Sequence, residues 1–127
     1  MTDQPAEYAD GGRRELEFAA EYVDSILDGE KTATIRYDLD DWPSPGDRLQ
    51  FVTPDRAPFA TVDLFGIVDC RLHAAPVALD AFRAEYPTRD PSEIAEQLSE
   101  HYTRGFGPQT RVAVIVWENL TEVRDGE

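Results

Sequence analysis

Apolar and acidic residues alternate in Glu15-Leu16-Glu17-Phe18, which predicts a short strand, and Tyr22, Val23, Ile26 and Leu27 then recur at helical spacing. Gly29 is placed to stop that helix. Thr32 to Tyr37 is rich in β-branched and aromatic residues and reads as a strand. Pro43-Ser44-Pro45-Gly46-Asp47 follows it as a turn. Arg48 to Val52 puts Leu49 and Phe51 on one face, and Phe59 to Val68 is a longer apolar run. These are two more predicted strands, joined by a hairpin loop at Pro54-Asp55-Arg56-Ala57-Pro58. Gly66 predicts a bulge or bend, which a long strand needs if its sheet curls.

Two helices come next. Leu79 to Glu85 predicts a short one, and Asp90-Pro91-Ser92-Glu93 opens another: Asp90 can cap, Pro91 suits the first helical position, and Glu93 can reach back to close a capping box. Ile94, Leu98 and Tyr102 supply its buried stripe. Val112 to Trp117 is apolar at every position, so it predicts a strand covered on both faces, with Trp117 in the core. No internal repeat or linker divides the chain. Residues 1–14 and 121–127 read as polar tails around a single domain at 15–120, and 127 residues with 41% hydrophobic content suit one core.

Charge changes the picture more than length does. The chain carries 26 acidic and 12 basic residues, a formal net charge of -14. Such a chain repels polyanions and acidic membranes at long range. Eleven of the basic residues are arginine, and Lys31 is the single lysine. Lysine depletion on an acidic surface resembles the proteins of salt-loving archaea, where a Debye length of about 3 Å at about 1 M salt screens self-repulsion. No apolar run approaches the roughly 18 residues of a membrane span, and Met1-Thr2-Asp3-Gln4 lacks a signal-peptide pattern, so a soluble cytoplasmic protein is expected. Cys70 is the only cysteine and reads as a reduced structural side chain.

A chain that has lost lysine elsewhere has little reason to keep Lys31 for solubility. It sits in Gly29-Glu30-Lys31-Thr32-Ala33-Thr34-Ile35-Arg36, which offers the parts of an amide-hydrolysing site: the Thr34 hydroxyl as nucleophile and Lys31 as base. Lysine serves as a base only if its pKa falls from about 10.4 toward neutrality, through burial or a nearby cation such as Arg36. If it stays protonated, it becomes an oxyanion or phosphate contact. Residues three apart on a regular strand face opposite ways, so Lys31 and Thr34 converge only if Lys31 lies in the turn before the strand. Gly29 favours such a turn, and Thr32, Thr34 and Arg36 then share a face. The bland alternatives are strand propensity for the threonines and a surface ion pair of Arg36 with Asp38 or Asp40.

The run from Ile26 to Arg36, followed by Pro45-Gly46-Asp47 and the order of elements over about residues 15–120, resembles the ASCH domain family. That resemblance implies an α+β fold, a PUA-like β-barrel of mixed, curled sheet with flanking helices. One small branch of the family hydrolyses the acetyl amide of N(4)-acetylcytidine and is similar at each position of Gly-x-Lys-Thr-x-Thr-Ile-Arg. The branch implies Lys31 and Thr34 as catalytic residues and a glutamate from a later segment as the third member. Glu85 is the nearest residue to fill that place, and an ungapped match puts Pro87 there instead.

Gly29, Thr32, Arg36, Trp42 and Arg104 complete the candidate binding residues. Arg104-Gly105-Phe106-Gly107 can set a stacking ring beside a cation, although Pro108 also marks a plain loop. His73 and His101 lack neighbours at metal-ligand spacing, so neither a metal nor a cofactor is expected. The expected partner is a modified nucleoside or single-stranded RNA, with no DNA and no membrane. The readings left open are an amidohydrolase, a non-catalytic RNA-binding module and a partner-regulating module without a ligand.

Overall fold

A computed structural model describes residues 14–39, 43–102 and 104–123. Among these residues five strands form one sheet in the order β1-β3-β4-β5-β2. They are β1 (Arg14–Glu17), β2 (Ala33–Arg36), β3 (Arg48–Val52), β4 (Pro58–Arg71) and β5 (Arg111–Glu122). β1 runs parallel to β3, and the other neighbours are antiparallel. The ends of the domain therefore lie further out than the polarity of the termini suggests: Arg14 belongs to β1, and Thr121 and Glu122 belong to β5.

β4 is longer than its apolar run, because Asp69 to Arg71 continue the ladder opposite Ala113 to Arg111. Its register with β5 slips between Thr61 and Asp63 and again between Leu64 and Gly66. Each slip bends the strand and adds twist, which curls the sheet into an open half-barrel. Gly66 has a second reason to be glycine: a Cβ there would lie 2.5 Å from the Phe82 ring. Phe82 is held in turn by an edge contact with Phe65 at 5.8 Å. Gly66→Ala should therefore cost about 1–3 kcal/mol through forced displacement of that ring. The check is the urea midpoint, and an unchanged midpoint would show that Phe82 moves freely.

Helices α1 (Val23–Leu27), α2 (Ala75–Ala81) and α3 (Pro91–His101) flank the sheet. Short 3-10 turns at Ala20–Tyr22 and Leu72–Ala74 lead into the first two. α2 starts earlier than the sequence suggested and stops before Glu85. Pro76 sits in its first turn, where a missing N–H costs nothing, and Arg83 ends it at φ 55. Asp90 does cap α3, accepting from the Ser92 N–H at 3.0 Å. Glu93 does not close the box, because the Asp90 N–H donates to Thr88 Oγ1 at 3.0 Å and the Thr88 hydroxyl in turn donates to Glu93.

β5 divides the core. Ile115 and Trp117 point into the half-barrel with Leu16, Phe18, Leu49 and Phe51. Val112, Val114 and Val116 pack under α2 and α3 with Leu72, Leu79, Ile94 and Leu98. This accounts for a strand with no polar residue from 112 to 117. No helix among the described residues is long and apolar enough to cross a membrane.

Candidate functional site

β1 and β2 are the two ends of the curled sheet, and no backbone ladder joins them. A cleft of about 440 Å³ opens at this seam. Its walls come from the end of β1 (Glu17, Phe18), from Tyr22, from Lys31 ahead of β2 and Thr34, Ile35 and Arg36 on it, and from Gln97, His101 and Tyr102 on α3 and just beyond it. Arg36 spans the gap: its guanidinium donates to the Glu17 carbonyl at 2.7 Å and lies 4.8 Å from the Phe18 ring centroid. One side chain thus does at the seam what hydrogen bonds do elsewhere in the sheet.

Gly29 places Lys31. At φ 82 it ends α1, and the chain turns back so that the Glu30 and Lys31 amides both donate to the Ser25 carbonyl, at 2.9 and 3.1 Å. β2 begins only at Ala33. Lys31 therefore lies in the turn before the strand, as convergence with Thr34 requires, and both residues line the cleft. Gly29 is itself exposed and has no place in the wall.

Lys31 is 4% exposed. Its Nζ stands 4.1 Å from the Tyr86 ring centroid and 5.3 Å from that of Tyr22. Among the described residues no ion pair involves it. Burial, and secondarily the Arg36 charge, lower its pKa from the ordinary 10.5 to about 7. Burial also raises Tyr86 to about 12, so its phenol stays protonated beside the amine. Thr34 is 7% exposed, and its Oγ1 accepts from Arg36 Nε at 3.4 Å. Of two cations in one cavity, the lysine gives up its proton, because guanidinium holds its own far more tightly.

The third expected catalytic residue falls elsewhere. Glu85 is exposed and does not line the cleft. Its main chain exchanges bonds with Thr32: the Thr32 N–H donates to the Glu85 carbonyl and the Glu85 N–H to Thr32 Oγ1, both at 2.8 Å. Thr32 is thus a tether for the segment carrying Tyr86 and not a cleft residue. Arg104 also stands outside the cleft, 4.7 Å from the Tyr37 ring centroid and 5.2 Å from that of Phe106. Trp42 and Asp40 lie outside the described residues.

Sequence reasoning missed Tyr86, Gln97 and His101 as cleft residues, and it placed Tyr22 at helical spacing and Tyr102 in a buried stripe without assigning either to a site. The available signal was chemical. A tyrosine at the end of an apolar stripe buries its ring and turns its hydroxyl toward a polar space. Tyr102 does this, its hydroxyl accepting from the Tyr37 N–H at 3.2 Å. His101 Nε2 lies 3.5 Å from the Tyr22 hydroxyl at the cleft edge.

No family model matches this sequence, and no curated protein matches it. Solved structures do. ASCH from Zymomonas mobilis superposes with a TM-score of 0.62 at 16% identity, covering 87% of this chain and 69% of that one. Protein EF3133 from Enterococcus faecalis V583 gives 0.59 at 20% identity, covering 80% and 68%. The chain has the PUA-like fold of ASCH domains. Within this ASCH fold the seam between the end strands gathers Lys31, Thr34 and Arg36, the three motif residues whose side chains carry charge or a nucleophilic hydroxyl into the cleft.

Proposed function

We propose that the seam cleft binds a modified nucleoside and hydrolyses an amide on its base, with the acetyl amide of N(4)-acetylcytidine as the substrate that the motif favours. One observation carries the reading: a buried lysine without an acidic partner among the described residues, its pKa drawn down to about 7, shares a cavity with a threonine hydroxyl. Burying an unpaired lysine is costly to the fold, which makes such a group a mark of function.

In the reaction Lys31 Nζ takes the Thr34 hydroxyl proton as Oγ1 attacks the acetyl carbon. The C–N bond then breaks, and Lys31 returns that proton to N4, so that cytidine leaves and an acetyl ester stays on Thr34. Water, deprotonated by Lys31, attacks the ester. Thr34 regains its proton and acetic acid departs. Phe18, Tyr22, Tyr86 and Tyr102 give the cleft aromatic faces for a flat base, and about 440 Å³ suits a ligand of nucleoside size.

The test is incubation of the pure protein with N(4)-acetylcytidine, following loss of the acetyl group. Activity should rise with pH through about 7 as the Lys31 amine loses its proton. Arg36→Ala removes the neighbouring cation, so the rise should move to higher pH. A rate independent of pH between 6 and 8.5 would remove Lys31 from the role of base.

A second reading, binding of a nucleoside or single-stranded RNA without turnover, is favoured by one observation. The Glu85 carboxylate expected to support the lysine is outside the cleft. Tight binding of N(4)-acetylcytidine with no product would select it.

A further inference from the structure

Two residues of β2, Ala33 and Ile35, turn their main-chain donor and acceptor away from β5, and of the two it is Ile35 that lines the cleft. Among the described residues β2 is an end strand and pairs with β5 alone. The Trp117 N–H donates to the Thr32 carbonyl at 3.1 Å. These two stand opposite each other in the register that continues through Ala33 with Val116 and Thr34 with Ile115. In an antiparallel ladder, bonded and non-bonded pairs alternate. Thr34 and Arg36 therefore turn their N–H and C=O groups toward β5, and Ile35 turns both of its groups away. The Tyr37 amide obeys the same alternation: it faces away from β5 and meets the hydroxyl of Tyr102, a cleft residue. Ile35 lines the cleft too, although its side chain packs in the core beneath α2 and α3. The alternation puts its main chain on the open edge of β2.

The free edge is short. The Tyr37–Tyr102 bond closes it at one end, Arg36 crosses the seam to Glu17, and at the other end β2 begins at Ala33, just after Thr32 is tied to Glu85. An added peptide strand needs several residues of open edge and finds Ala33 to Ile35 alone, with Ile35 the one of the two outward residues that lines the cleft. A flat ligand with an acceptor beside a donor needs no more. In an extended residue the N–H and C=O point the same way, side by side. Their complement is the Watson–Crick edge of a pyrimidine, N3 beside N4–H in cytosine. Tyr22 and Tyr86 stand by to stack on such a ring.

We infer that the Ile35 main chain reads the Watson–Crick edge of a pyrimidine nucleoside held in the cleft. This rests on the nucleoside reading above and adds a requirement to it: the base must be unpaired, with N3 and N4–H free. Thr34 and Lys31 then act on a base whose plane Ile35 fixes.

Isoleucine-specific ¹⁵N labelling gives five amide signals, from Ile26, Ile35, Ile67, Ile94 and Ile115. In the free protein the Ile35 proton should exchange with solvent about tenfold or more faster than that of Ile115, which is bonded to β2. Adding N(4)-acetylcytidine should move the Ile35 signal downfield and slow its exchange. Ile35→Pro removes an N–H that makes no ladder bond and should weaken binding about tenfold or more. N(4)-acetyl-N(4)-methylcytidine, which lacks the donor, should bind about tenfold more weakly than N(4)-acetylcytidine.

An Ile35 amide already protected in the free protein overturns the inference, even if Ile35→Pro fails to fold. Binding of N(4)-acetylcytidine with the Ile35 signal unmoved overturns it and leaves the nucleoside reading standing. No binding of N(4)-acetylcytidine at all overturns both.

Discussion

Replacing Lys31 by methionine is expected to abolish deacetylation and, in the same variant, to stabilise the fold. A drop in pKa from 10.5 to about 7 means that the folded protein resists the charged amine. By linkage that drop corresponds to about 5 kcal/mol as an upper bound. The sign follows from proton counting. Above pH 10.5 the amine is neutral folded and unfolded, and the term vanishes. As pH falls toward 7 the unfolded chain takes up a proton that the native state does not, so stability declines, and below about 7 the full penalty stands. Methionine fills a similar volume without charge. Even half the bound would raise Tm by about 10 °C in a domain of this size.

The contrast with Thr34 makes the expectation specific. Thr34→Ala should lose about 10²–10⁴ in turnover with a Tm shift of a few degrees at most, since a single weak hydrogen bond is removed. Lys31→Met should lose as much turnover while gaining stability. The difference in unfolding free energy between parent and Lys31→Met should shrink as pH rises from 7 to 10.5. Equal activity in the two proteins would take Lys31 out of the reaction, and a less stable variant would mean that the amine contributes to the fold.

The strands and the reactive turn were legible because each rests on local chemistry. Alternation in Arg48 to Val52, the unbroken apolar run from Val112, and a glycine ahead of Lys31 all act within a few residues. Cleft membership is different, because it is set by which strands end the sheet. Nothing near Glu85 says that its segment is tied to Thr32 through the main chain, leaving the carboxylate outside. Nothing near Tyr86, Gln97 or His101 says that these residues meet β2 across the seam. Glu93 failed as a capping partner for a local reason that composition hides: Thr88 sits two residues before Asp90 and takes the amide first. α2 begins at Ala75, ahead of the expected Leu79, and Pro76 fits its first turn because the missing N–H has no partner there.

Salt should change stability as much as any substitution. The net charge of -14 is spread over 127 residues, so the compact state concentrates like charge that the unfolded chain disperses. The described ion pairs, such as Arg48 with Asp63 at 2.8 Å and Arg111 with Asp69 at 3.1 Å, lie at the surface, where each is worth about 0–1 kcal/mol and is itself weakened by salt. With more than twice as many acids as bases, most acids have no cation to face, and repulsion outweighs these pairs. The Debye length falls from about 30 Å at 0.01 M to about 10 Å at 0.1 M and about 3 Å at 1 M. Tm followed by circular dichroism in KCl should rise by about 10 °C or more over that range, with most of the rise complete by about 0.5 M, where further screening has little left to remove. A Tm that climbs steadily to 3 M would point instead to salting-out of apolar surface. A Tm indifferent to KCl would mean that the acids are too far apart to repel, and the likeness to proteins of salt-loving archaea would then rest on composition alone.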